Sequence, residues 1–105
     1  MLHKSLACFL RSLAVRKQIL GSNSEACSDC LVNLGVLYKI QGMTIQARLS
    51  LQEALDSRRE GIGRICLPVA AVLEEMGKLE LEEGNFKESF AHFKECLDIL
   101  KQHHA

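Results

Sequence analysis

The chain has no tryptophan, one tyrosine and one proline, and aromatic residues make up only 5% of it. Strands draw on aromatic and β-branched residues, so this shortage argues against a β-rich fold, and the abundant Leu, Ala, Glu and Lys favour helices. Net charge is also missing: Lys and Arg number 13 and Asp and Glu number 13. No global field draws the chain to DNA, RNA or an anionic membrane, and no run of like charges supplies a local one. No apolar run approaches the roughly 18 residues that a membrane-spanning helix needs. The first twenty residues carry Lys4, Arg11, Arg16 and Lys17 spread among apolar side chains. They lack the unbroken apolar stretch and small-residue cleavage site of a secretory signal.

Signatures of catalysis are absent as well. There is no Ser/His/Asp order, no glycine-rich phosphate loop and no H-E-x-x-H helix, so neither an enzyme nor a cofactor is expected. The five cysteines (Cys8, Cys27, Cys30, Cys66 and Cys96) are odd in number and sit mostly at core-facing positions. They do not form a secreted disulfide framework, and a reducing, cytoplasmic location is expected.

What the chain does have is a repeat of 42 residues. Gly21 and Gly63, Gly35 and Gly77, Gly42 and Gly84, Arg16 and Arg58, and Leu37 and Leu79 each lie 42 apart. Three series recur twice at the same interval: Phe9, Leu51 and Phe93; Leu13, Leu55 and Leu97; and Ser12, Ala54 and Cys96. Such a period means stacked helical units sharing a continuous core. It divides the chain into a half unit at residues 1–21 and full units at 22–63 and 64–105.

About five helices follow from the 3.6-residue periodicity, over residues 3–20, 23–41, 44–59, 67–83 and 86–102. Ser22 and Glu25 have the spacing of a capping box. Gly42 and Gly84 stop the second and fourth helices, where a left-handed residue is cheapest without a Cβ. Pro68 suits a first helical turn, and Asn85 can cap the last helix with Glu88 three residues on. Short connections make consecutive helices antiparallel hairpins. A mid-helix glycine costs about 1 kcal/mol against alanine. The matched Gly35 and Gly77 therefore predict close approach of the partner helix in each hairpin.

These residues resemble the tetratricopeptide repeat. In that family helix A carries a large residue, an adjacent Leu and Gly, then an aromatic, and helix B carries small, large and small residues. Here Leu31, Leu34, Gly35 and Tyr38 match helix A, and Ala47, Leu51 and Ala54 match helix B. The next unit offers Leu73, Met76, Gly77 and, in the aromatic's place, Glu80; its B helix offers Ser89, Phe93 and Cys96. The first segment supplies a B half alone, through Ser5, Phe9 and Ser12. The 42-residue length and the stretches 12–21 and 31–42 resemble the repeats of kinesin light chains and nephrocystin-like proteins. The Asn-Asn pair typical of that subclass survives only as Asn33; Val32, Glu74 and Glu75 hold the other places.

The resemblance implies an all-α, antiparallel helix-hairpin array that binds a protein or peptide and performs no catalysis. Its inner face would come from the A helices. That places Asp29, Val32, Asn33, Val36, Lys39 and Ile40 in one unit and Ala71, Glu74, Lys78, Leu81 and Glu82 in the next. Val32, Val36, Ile40 and Leu81 would form an apolar strip flanked by charge, suited to a peptide or helix.

Other features carry competing readings. Cys27-x-x-Cys30 could be half a zinc site or a redox pair, but no second ligand pair and no strand accompany it, so two small apolar residues on one helical turn is the simpler reading. His103 and His104 read as a polar tail, and His92 as surface. Glu74, Glu75, Glu80, Glu82 and Glu83 read as a solvated helix face, with a groove selecting basic peptides as the alternative; Lys78 dilutes their field. Finally, Phe86, Phe90, Phe93, Leu97 and Leu100 cover more of the last helix than the preceding helix can hide. The array therefore either continues into a longer one or buries its ends in another copy.

Overall fold

A computed structural model describes residues 25–61 and 67–104, together with residues 7, 8, 10, 11, 13 and 14. Among the described residues the secondary structure is helical: α1 (Glu25–Ile40), α2 (Thr44–Gly61), α3 (Leu67–Glu82) and α4 (Phe86–His104). The six described residues of the expected N-terminal helix are also helical, and Leu13 among them is buried with the core. The capping box at Ser22 and the glycines at 21 and 63 lie outside the described residues.

The two hairpins turn in the same way. At the end of α1, Met43 donates its N–H to the Tyr38 carbonyl (2.8 Å) and Gly42 donates to that of Lys39 (3.0 Å). At the end of α3, Asn85 donates to Glu80 (2.8 Å) and Gly84 to Leu81 (3.1 Å). This is the Schellman pattern, which satisfies the orphan carbonyls of a helix end. It needs a left-handed residue, and Gly42 and Gly84 have φ of 79° and 80°. The next helix starts at once, with Ala47 donating to the Met43 carbonyl and Ser89 to that of Asn85.

Cys27, Leu31 and Leu34 of α1 pack on Ala47, Leu51, Ala54 and Leu55 of α2, all buried. Helix α3 lies between α2 and α4, so it is buried on two sides, through Val69, Ala70, Val72, Leu73, Met76, Gly77, Leu79 and Glu80. Cys96 and Ile99 of α4 close the core from beyond.

The mid-helix glycines stand where the helices come closest. A Cβ on Gly35 would lie 2.7 Å from Cγ of Leu51, and one on Gly77 would lie 2.7 Å from the Phe93 ring. The two sites differ in freedom to adjust. Leu51 is only 1% exposed, whereas Phe93 is half-buried at the edge of the array. Gly35→Ala therefore loses more through overpacking, about 1–3 kcal/mol, than the roughly 1 kcal/mol it gains in helix propensity. Gly77→Ala comes out near neutral because the ring can swing outward. Thermal melts should show Gly35→Ala lowered by several degrees, and equal shifts for the two would contradict this account.

Candidate functional site

Helices α1 and α3 run side by side, tied near both ends. Near their C-terminal ends, Lys39 Nζ lies 3.5 Å from Glu82 Oε1. Near their N-terminal ends, the tie is Arg58 of α2. Its Nε donates to Ser28 Oγ (3.0 Å), its Nη2 to Asp29 Oδ1 (2.5 Å) and its Nη1 to the Pro68 carbonyl (2.7 Å). One buried guanidinium thus holds three helices in register.

The expected inner-face residues fall on these two helices with unequal exposure. Asp29 and Asn33 are exposed, Val32 and Val36 are half-buried, and Val32 packs against the core. Asp29 already accepts from Arg58, so its carboxylate serves the array as well as its surface. Lys39 is half-buried beside Glu82. Ile40 and Leu81 are the open apolar side chains, 61% and 50% exposed. On α3, Lys78 sits between Glu74 (3.5 Å) and Glu75 (3.6 Å), and the charges of Glu75 and then Glu74 hold its pKa above the ordinary lysine value. The surface is therefore two apolar side chains at the C-terminal ends of paired helices, framed by ion pairs of both signs.

The family profile described as Tetratricopeptide repeat matches residues 1–60. The chain belongs to the tetratricopeptide repeat family. Among solved structures, BtubC (BKLC) from P. vanneervenii has the same architecture, with a TM-score of 0.92 at 18% identity over 96% of this chain. At that identity the likeness is one of fold, and this chain spans 40% of the BtubC chain. No curated protein matches the sequence significantly.

The tetratricopeptide frame explains the residues that sequence reasoning missed. Glu80 occupies the place held in the preceding unit by Tyr38, and it is not on the solvated face. It is buried, and Arg48 of α2 reaches it with Nη2 at 2.6 Å and Nε at 3.0 Å. A charge standing where the repeat wants an aromatic signals a partner, but the sequence does not say which residue supplies it. The other four glutamates of that stretch also have partners: Glu74 and Glu75 at Lys78, Glu82 at Lys39, and Glu83 at the Thr44 hydroxyl. Arg58 had a signal in the sequence, since Arg16 lies 42 residues before it.

Cys27 and Cys30 are buried in α1 and packed in the core. Cys96 is buried too, its Sγ 3.4 Å from the Ala70 carbonyl, and burial, with a smaller push from the Glu74 charge, raises its thiol pKa. A raised thiol is a poor nucleophile and a poor metal ligand. Among the described residues no three His, Cys, Asp or Glu side chains converge to hold a metal ion. None of the described helices is long and apolar enough to cross a membrane. His92 is half-buried, not fully on the surface, beside Arg48 and Glu80 at a cleft of about 90 Å³.

Proposed function

We propose that this protein is a non-enzymatic adaptor that holds a peptide or helix of a partner protein against the surface of α1 and α3. Tetratricopeptide repeats serve as protein–protein interaction modules, and the observation that carries the reading here is the exposure of Ile40 and Leu81 beside the Lys39–Glu82 pair. Apolar side chains ringed by charge give a partner both burial and register. Val32 and Val36 extend the apolar strip, Asn33 offers donor and acceptor to a bound backbone, and Asp29, Glu74 and Lys78 supply its polar edges. The array on this reading is two and a half repeats, divided near residues 21 and 63, of the 42-residue subclass found in kinesin light chains. The matched Schellman turns at Gly42 and Gly84 support that length. Cysteines buried in the core without a disulfide (Cys27, Cys30 and Cys96) suit a cytoplasmic setting.

Replacing Val36 and Leu81 with Asp should lower recovery of bound partners from a cell extract by at least about tenfold, with the helical circular dichroism preserved. Ile40→Asp alters only an exposed side chain and should weaken recovery in the same direction. Undiminished recovery by both variants would remove this surface as the binding site. A second reading is self-association through the terminal helix, favoured by the exposure of Phe86 and Phe90. Light-scattering mass across a hundredfold concentration range separates the two, and a constant monomer mass rules out self-association.

A further inference from the structure

Helix α4 carries a second surface, a stripe that begins where its contact with α3 ends and runs outward from the half-buried Phe93 and Leu100. Phe86, Phe90, Phe93, Leu97 and Leu100 recur at alternating steps of four and three residues. That is the 3.5-residue period of a coiled-coil seam, in which each side chain seeks a hole on a facing helix. Phe86, Phe90 and Leu97 are 68%, 69% and 55% exposed. Phe93, Leu97 and Leu100 line a shallow groove of about 340 Å³ with Cys96 and, on its far wall, Glu74.

The repeat itself indicates what kind of body belongs there. Moving back by 42 residues places Leu97 on Leu55, Phe90 on Arg48 and Phe86 on Thr44. Two of those α2 residues bond α3, Arg48 to Glu80 and Thr44 to Glu83, and the third, Leu55, is buried in the core. The surface of α2 that receives a helix is thus matched on α4 by positions that are open. On α4 the two polar members have become phenylalanines, so the helix received there must present apolar residues where α3 presents Glu80 and Glu83.

Charge then selects among helices. Lys87, Lys94 and Lys101, seven residues apart, form one edge of the stripe, and all three are exposed. None of them makes an ion pair among the described residues. The other edge, Ser89 and Cys96, is closed against α3, bonded to the carbonyls of Gly77 and Ala70. Glu74 on the far wall is offset by Lys78 at 3.5 Å. Two copies pairing antiparallel along this stripe would set lysine rows together, and a parallel pair would drive each lysine edge into the other copy's α3. We propose that the stripe on α4 is a docking surface for an amphipathic helix of another protein, apolar on one face and acidic along the edge that meets Lys87, Lys94 and Lys101.

The test uses the full chain and two labelled synthetic helices of about three heptads, both with Leu in the seam, one flanked by Glu and one by Lys. Fluorescence anisotropy should show the Glu-flanked helix binding at least about tenfold more tightly, since three charge pairs each contribute a small, salt-sensitive increment. Lys87→Glu, Lys94→Glu and Lys101→Glu together should reverse the preference, and Phe90→Glu, at an exposed position, should abolish binding of both. Leu81→Asp, on the other surface, should leave this binding unchanged, so the two sites succeed or fail separately. Equal affinity for the two helices, binding of neither, or a dimer dispersed by Phe90→Glu would overturn the proposal.

Discussion

Arg58→Ala should lower the stability of the array by about 3 kcal/mol, one of the two largest losses expected from a single side chain outside the apolar core. Its side chain is 8% exposed, and its guanidinium donates to a side chain of α1, a carboxylate of α1 and a backbone carbonyl of α3. Charge-assisted hydrogen bonds of this kind contribute about 1.5–3 kcal/mol each, and the desolvation of the guanidinium offsets part of the sum. The bond to Asp29 contributes least, because that carboxylate is 58% exposed and water can replace the arginine. The bond to the Pro68 carbonyl matters more, since it fixes where α3 begins against α1 and α2. Arg58→Lys keeps the charge but not the planar fork, and should recover less than half of the loss. Arg58→Met keeps much of the packed stem and none of the donors. Urea denaturation of the three variants decides the matter, and an Arg58→Met chain as stable as the parent would mean that Arg58 acts by shape alone.

The parts of this fold set by local chemistry were legible in the chain. Gly42 and Gly84 announced two turns with the same hydrogen bonds, and the expected helices over 44–59 and 86–102 match Thr44–Gly61 and Phe86–His104 to within two residues at each end. The close approach at Gly35 and Gly77 followed from two costly residues placed at equivalent points. The apolar surplus on the last helix was readable because helical spacing alone puts Phe86, Phe90 and Leu97 beyond the reach of one neighbour. Exposure along the α1 surface was only partly readable. Val32 and Val36 are half-buried in mid-helix and Val32 packs against the core, whereas Ile40 and Leu81 stand exposed in last turns, close to where the chain leaves at a glycine. Periodicity gives the direction of a side chain and not the distance to its neighbours. Pairings across helices were the least legible. Arg48 and Glu80 are 32 residues apart, and nothing local to either names the other.

That pair gives the second large effect. Arg48→Leu should destabilise the chain by about 2–3 kcal/mol, and Glu80→Leu by clearly less. The asymmetry follows from burial: the Glu80 side chain is 9% exposed, while that of Arg48 is 40% exposed. Removing the arginine strands a carboxylate that water reaches poorly. Removing the glutamate leaves a guanidinium that can turn to solvent, and fills the vacated place with apolar surface. Restoring the family's aromatic should go further. The double variant Arg48→Leu, Glu80→Tyr replaces a desolvated ion pair with packed side chains, and such exchanges are commonly neutral or stabilising. It should therefore be at least as stable as the parent chain. A double-mutant cycle with Arg48→Leu and Glu80→Leu should give a coupling energy of about 1–2 kcal/mol that changes little with added salt, as befits a shielded pair. Additive losses would show that the pair confers no mutual stabilisation, and that Glu80 is tolerated at the aromatic's position for reasons of size alone.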